Sequence, residues 1–86
     1  MKVIFHRVFE KQYQKLRNSK QTRFNKHLRL FIKNQFDPLL NNHSLRGKYK
    51  GYRSINIGGD LRAIYRLIKN DIVVFVTINT HSKLYS

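Results

Sequence analysis

Two adjacent glycines, Gly58-Gly59, stand between two runs of alternating apolar and polar residues, a pattern that few folds accommodate. In the run Tyr52 to Ile57, Ile55 and Ile57 fall on one face and Ser54 and Asn56 on the other. In the returning run, Leu61, Ala63, Tyr65 and Leu67 share one face, and Arg62, Ile64 and Arg66 share the other. Alternation with period two marks a strand with one buried face. A two-residue glycine turn supplies the positive φ angles that a tight hairpin requires. Lys69-Asn70-Asp71 forms a second turn, and Ile72 to Ile78 is β-branched almost throughout, as expected of a strand covered on both sides. These three runs read as an antiparallel meander.

Upstream, Val3-Ile4-Phe5 centres a short strand that is expected to join the sheet. The period then changes. Phe9, Tyr13 and Leu16 fall at i, i+4 and i+7, one stripe of an amphipathic helix. After a break at Asn18-Ser19, with Ser19 as N-cap, a second helix carries Phe24, Leu28, Phe31 and Ile32 on one face, extended by Phe36, with Arg23, Lys26, Arg29 and Lys33 elsewhere. Asp37-Pro38 ends it, because a residue preceding proline is pushed out of the α region. The expected fold is α+β: two N-terminal helices form a hairpin packed on one face of an antiparallel sheet of about four strands, in a single domain over residues 1–86. The other face then exposes Arg62, Arg66 and the polar residues of the first meander strand.

Charge narrows the function. Eighteen Lys and Arg oppose four acids, a formal net charge of +14. Nucleic acid is the usual partner of such a surface, since each neutralised phosphate releases counterions and tightens binding. No stretch approaches the roughly 20 apolar residues of a membrane-spanning helix, and Val3-Ile4-Phe5 is too short for a signal peptide. A cytoplasmic protein with no membrane partner is expected. The absence of cysteine rules out disulfides, thiolate nucleophiles and zinc-finger sites.

RNA can be cut without metal, because its 2′-hydroxyl is a nucleophile beside the phosphate. The reaction needs a base, an acid and a cation for the developing charge. Histidine suits the first two roles and arginine the third. His6 and His27 lie within the N-terminal strand and helix and read as structural or surface groups. His43 precedes the basic segment Leu45 to Gly51, and His81 follows the last strand; both sit at element ends, where catalytic groups and ordinary surface histidines alike are found. No carboxylate or third histidine stands at ligand spacing, so neither a metal nor another cofactor is expected. Asp60 and Asp71 occupy turns, where aspartate bonds well to local backbone.

Four segments, His43-Ser44-Leu45-Arg46-Gly47, Lys50-Gly51-Tyr52-Arg53, Asp60-Leu61-Arg62-Ala63-Ile64-Tyr65 and Thr80-His81-Ser82-Lys83-Leu84-Tyr85, occur in an order and spacing that resembles the RelE/ParE toxin superfamily, particularly its YafQ-like branch. The resemblance covers about half the chain; the N-terminal half fits by pattern. It implies the toxin of a type II toxin–antitoxin system, an mRNA interferase that cuts mRNA on the ribosome by 2′-hydroxyl attack. It also implies an antitoxin partner that wraps the toxin in a hetero-oligomer. The site implied is His81 and His43 for proton transfer, Arg62 and Arg53 for phosphate charge, Tyr85 to stack on or orient a base, and Asp60 to orient a neighbour. Lys48, Lys50, Arg66 and Lys83 join Arg53 as expected RNA contacts. The chain departs from the branch at three places: Asn56 stands where a histidine is expected, Leu61 where a tryptophan is, and Thr77 near an expected arginine. A ParE-like gyrase inhibitor and a catalytically inactive RNA- or ribosome-binding relative are the alternative readings.

Overall fold

The computed structural model describes residues 1–85. Its elements are β1 (Lys2–Phe5), α1 (Arg7–Lys15), α2 (Asn18–Lys33), β2 (His43–Ser44), β3 (Arg53–Gly58), β4 (Leu61–Lys69), β5 (Ile72–Thr80) and α3 (His81–Leu84), with short 3₁₀ turns at Pro38–Leu40 and Gly47–Tyr49. The meander forms as expected, but its first turn sits one residue later than the glycine pair: Gly58 ends β3 opposite Leu61 after a bulge, and Gly59-Asp60 make the turn, with Gly58 and Gly59 both at positive φ. The sheet, however, has five strands rather than about four, in the order β1-β5-β4-β3-β2. It is also mixed, not wholly antiparallel, because β1 runs parallel to β5, from Lys2 opposite Ile72 to Phe5 opposite Phe75. The helical hairpin makes this possible. It carries the chain across the width of the sheet, from the β1 edge to the opposite edge, where the two-residue β2 pairs with β3.

Helix boundaries follow local hydrogen bonding. His6 caps α1, its Nδ1 accepting from the Val8 N–H. Ser19 is not the cap of α2: that helix begins at Asn18 with Arg17 at the cap position and no side-chain bond there. Nor does α2 reach Phe36, for it ends at Lys33 and leaves Phe36 exposed. Asp37 instead caps the following 3₁₀ turn, its Oδ1 accepting from the Leu39 N–H at 3.0 Å.

Phe9, Phe24 and Phe31 of the helices are buried against Ile55, Ile57, Leu61, Ala63, Tyr65, Val73, Phe75 and Ile78 of the sheet. Each of the larger aliphatic and phenylalanine side chains contributes roughly 1.5–3 kcal/mol on leaving water. The rings meet edge-on or tilted, as their quadrupoles prefer: Phe31 lies 4.9 Å from Tyr65 and 5.5 Å from Phe75. The hydroxyl of buried Tyr65 accepts from Asn42 Nδ2 at 2.8 Å. Two residues expected in this layer lie outside it. Leu67 and Ile32 are each about half exposed.

A bulge sets the parity of β5. Ile64 pairs with Thr77 and Tyr65 with Phe75, leaving Val76 over. This lets Phe75 and Ile78, three apart, both enter the core, which a regular strand forbids. Beyond Phe75, β1 no longer covers the edge of β5, and α1 takes over: Gln12 Oε1 accepts from the Ile78 N–H at 2.9 Å and from the Thr77 hydroxyl at 3.0 Å. Among the described residues no helix is long and apolar enough to cross a membrane.

Candidate active site on the outer face of the sheet

Residues directly opposite in an antiparallel pair point to the same side. The face turned away from the helices therefore carries two rows. One runs from His43 through Ser54 and Ile64 to Thr77, the other from Asn56 through Arg62 to Asn79. This face is not uniformly exposed, because Ile64 and Leu84 are buried outside the main core.

Arg62 is the most tightly held cation here. Its Nη1 donates to Asn56 Oδ1 at 2.9 Å and to the carbonyls of Gly59 and Leu61 at 3.1 and 3.2 Å. Asn56 Oδ1 also accepts from the Gly58 N–H at 3.0 Å, so one side chain ties the arginine to the hairpin turn. The carbonyl of Asp60, between the two that Arg62 reaches, accepts from the His81 N–H at 2.9 Å. A single turn thus anchors both the guanidinium and the start of α3. The Asp60 contribution comes through its backbone; its side chain is exposed.

From His81 a line of rings crosses the face. His81 and Tyr85, one helical turn apart, have centroids 4.7 Å apart. Tyr85 meets Tyr49 edge-on at 6.0 Å, and Tyr49 meets Tyr52 at 6.2 Å. Lys48 Nζ stands 5.4 Å from the centre of the Tyr49 ring. The helix of α3 that makes this line possible begins at Thr80, whose side chain accepts from the Lys83 N–H. Tyr49 and Tyr52 were not singled out from the sequence, although two tyrosines among Lys48, Lys50 and Arg53 are the interleaving that single-stranded nucleic acid favours.

His43 is exposed on the edge strand, on the same face but outside that line of rings. Its Nδ1 lies 2.8 Å from the carbonyl of Asn41. A carbonyl only accepts, so Nδ1 bears the hydrogen in this bond. His27 Nδ1 donates likewise to the Arg23 carbonyl within α2, and His6 caps α1, so both have the structural roles expected of them.

Arg53 does not join the group. It stands opposite Tyr65, on the helix side, where its Nε donates to Asn42 Oδ1 at 2.8 Å and its guanidinium covers the Phe36 ring at 5.4 Å. There it braces the end of the helical layer instead of facing the outer surface. Arg66 is on the outer face beside Lys48, while Lys50 and Lys83 are exposed at its margins. Among the described residues no three His, Asp or Glu side chains converge in a way that could hold a metal ion.

The fold has counterparts among solved structures. The crystal structure of YafQ from E. coli strain BL21(DE3) superposes with a TM-score of 0.82 at 20% identity, covering 98% of this chain and 97% of that one. A YoeB/ParE toxin from Agrobacterium tumefaciens gives 0.78 at 21% identity over 94% and 99%. The E. coli DinJ–YafQ toxin–antitoxin complex gives 0.79 at 22% identity over 98% and 96%. No sequence among curated proteins matches. A helical hairpin on a five-stranded sheet with this topology is the fold that these structures share. The profile of the YafQ toxin family, bacterial toxins of type II toxin–antitoxin systems, matches residues 1–86, and the chain belongs to that family.

Proposed function

We propose that this toxin is a ribosome-dependent mRNA endoribonuclease that works in the cytoplasm and is held inactive by a cognate antitoxin in a hetero-oligomer. The observation that carries the reading is the turn at residues 59–61, which anchors Arg62 and His81 together, with Tyr85 packed on the His81 ring. In the reaction a histidine takes the proton of the 2′-hydroxyl, whose oxygen attacks the adjacent phosphorus. The bond from phosphorus to the 5′-oxygen breaks as a second proton donor supplies that oxygen, leaving a 2′,3′-cyclic phosphate and a 5′-hydroxyl. His43 and His81 are the proton-transfer groups, and Arg62 faces the charge that develops on the phosphate. Tyr85 offers a ring on which a base can stack. Antitoxin binding is supported by the DinJ–YafQ complex, whose toxin shares this fold.

Translation of a defined mRNA with the purified protein tests the reading, with new 5′ ends mapped by primer extension. Cuts at codons in the ribosomal A site are expected, and His81→Ala and Tyr85→Ala should abolish them while thermal unfolding stays close to wild type. Uncut message, with gyrase trapped on cleaved DNA, would overturn the nuclease reading. Full cleavage by the His81→Ala variant would remove that histidine from the mechanism.

A further inference from the structure

Beyond the line of rings the outer face sinks into a cleft of about 470 Å³ that no proposed chemical step uses. Its floor is Val74 and Val76, and its walls include Tyr49, Tyr52, Lys48, Arg66 and His6. We infer that this cleft is a subsite for an unpaired RNA nucleotide flanking the one that is cut, an inference that rests on the nuclease reading above.

The chemistry of the lining favours that ligand. The volume lies within the roughly 300–1,000 Å³ of small-ligand sites. β-Branched side chains and tyrosine rings give a base an apolar and aromatic bed, while Lys48 and Arg66 give its phosphates two cations. His6 adds a polar tip. Its Nδ1 accepts from the Val8 N–H, which fixes the ring at the edge of the cleft that it lines. Position matters as much as composition. Tyr49 lines the cleft on one side and touches Tyr85 on the other, so the cleft continues directly from the rings that lead to His81. A strand laid along these rings puts one nucleotide at His81 and a neighbour in the cleft. None of the four acids of the chain lines it, so nothing there repels a phosphate.

An RNA octamer with 2′-O-methyl groups tests this, because it binds without supplying the nucleophile and so reads the cleft apart from cleavage. Affinity is measured as salt is raised. Arg66→Ala and Lys48→Ala should each reduce the slope of log affinity against log salt by about 0.7, the share of one single-strand phosphate contact. Tyr52→Leu should weaken binding about tenfold with little change in slope. Arg29→Ala, on exposed α2, is the control and should match wild type. Arg66 is itself exposed, so its removal leaves the fold standing whatever happens to the tyrosine variant. Wild-type binding and slope in all three cleft variants would overturn the inference, and is the result expected if the cleft serves only an acidic protein segment. Octamer binding that obeys these changes, in a protein that cuts no message, would keep the cleft and remove the nuclease reading.

Discussion

Replacing Asn56 by alanine removes one oxygen that serves two donors, the Arg62 guanidinium at 2.9 Å and the Gly58 N–H at 3.0 Å. A neutral backbone bond contributes about 1 kcal/mol net, and a bond to a charged group about 1.5–3 when buried. Arg62 is only half-buried and keeps the Gly59 and Leu61 carbonyls, so its share falls to about 1 kcal/mol. Asn56→Ala should therefore cost about 2 kcal/mol, and at 4–8 °C per kcal/mol for a domain of this size the melting temperature should fall roughly 10 °C. Cleavage should fall with it, because the guanidinium loses the side chain that fixes its direction. Asn56→Asp separates the two effects. A carboxylate still accepts both bonds and should melt near wild type, yet it neutralises Arg62 and should cut poorly. The assay is thermal unfolding by circular dichroism beside single-turnover cleavage. Melting within about 2 °C of wild type together with full activity for the alanine variant would refute the reasoning, since 2 kcal/mol cannot hide in so small a shift.

Phe31→Ala empties a fully buried site between Tyr65 and Phe75 and should lower the unfolding free energy by about 3–5 kcal/mol in urea titration. Gln12→Leu leaves the Ile78 N–H and the Thr77 hydroxyl without their acceptor; a loss of about 1–3 kcal/mol is expected, with faster hydrogen exchange at the Ile78 amide. Gly58→Ala forces a side chain onto φ +120° with its Cβ 2.5 Å from Arg23 Cδ, and should cost about 1–3 kcal/mol by thermal unfolding.

The meander and both helices were legible because hydrophobic period and turn chemistry are local properties. The glycine pair marked the hairpin to within one residue, and the Phe9, Tyr13 and Leu16 stripe needed no knowledge of the rest of the chain. The parallel pairing of β1 with β5 was not, since it joins segments some 70 residues apart and nothing in Lys2–Phe5 marks a direction. The bulge at Val76 is equally silent in a β-branched run, where every residue suits either face. Arg53 is different: strict alternation already places it with Ile55 and Ile57, so its helix-side position could have been read from parity, against the pull of the motif that contains it. Asn56 marks the other limit. A change of residue type at an expected histidine looks like a lost proton acceptor, and only the three-dimensional contacts reveal an arginine held in its place.

The pairing of residues 2–5 with 72–75 also sets an order of assembly. β1 is made early but has no neighbour in the sheet until β5 exists, and β5 stands between β1 and β4. Long-range pairing of this kind makes folding wait on distant sequence. α3, with His81 and Tyr85, follows directly on β5. A nascent chain stalled before residue 72 has neither the closing strand nor the groups beyond it. The outer face of the toxin is therefore unfinished until β5 has emerged and α3 has followed it, so the last strand of the sheet completes fold and candidate site together.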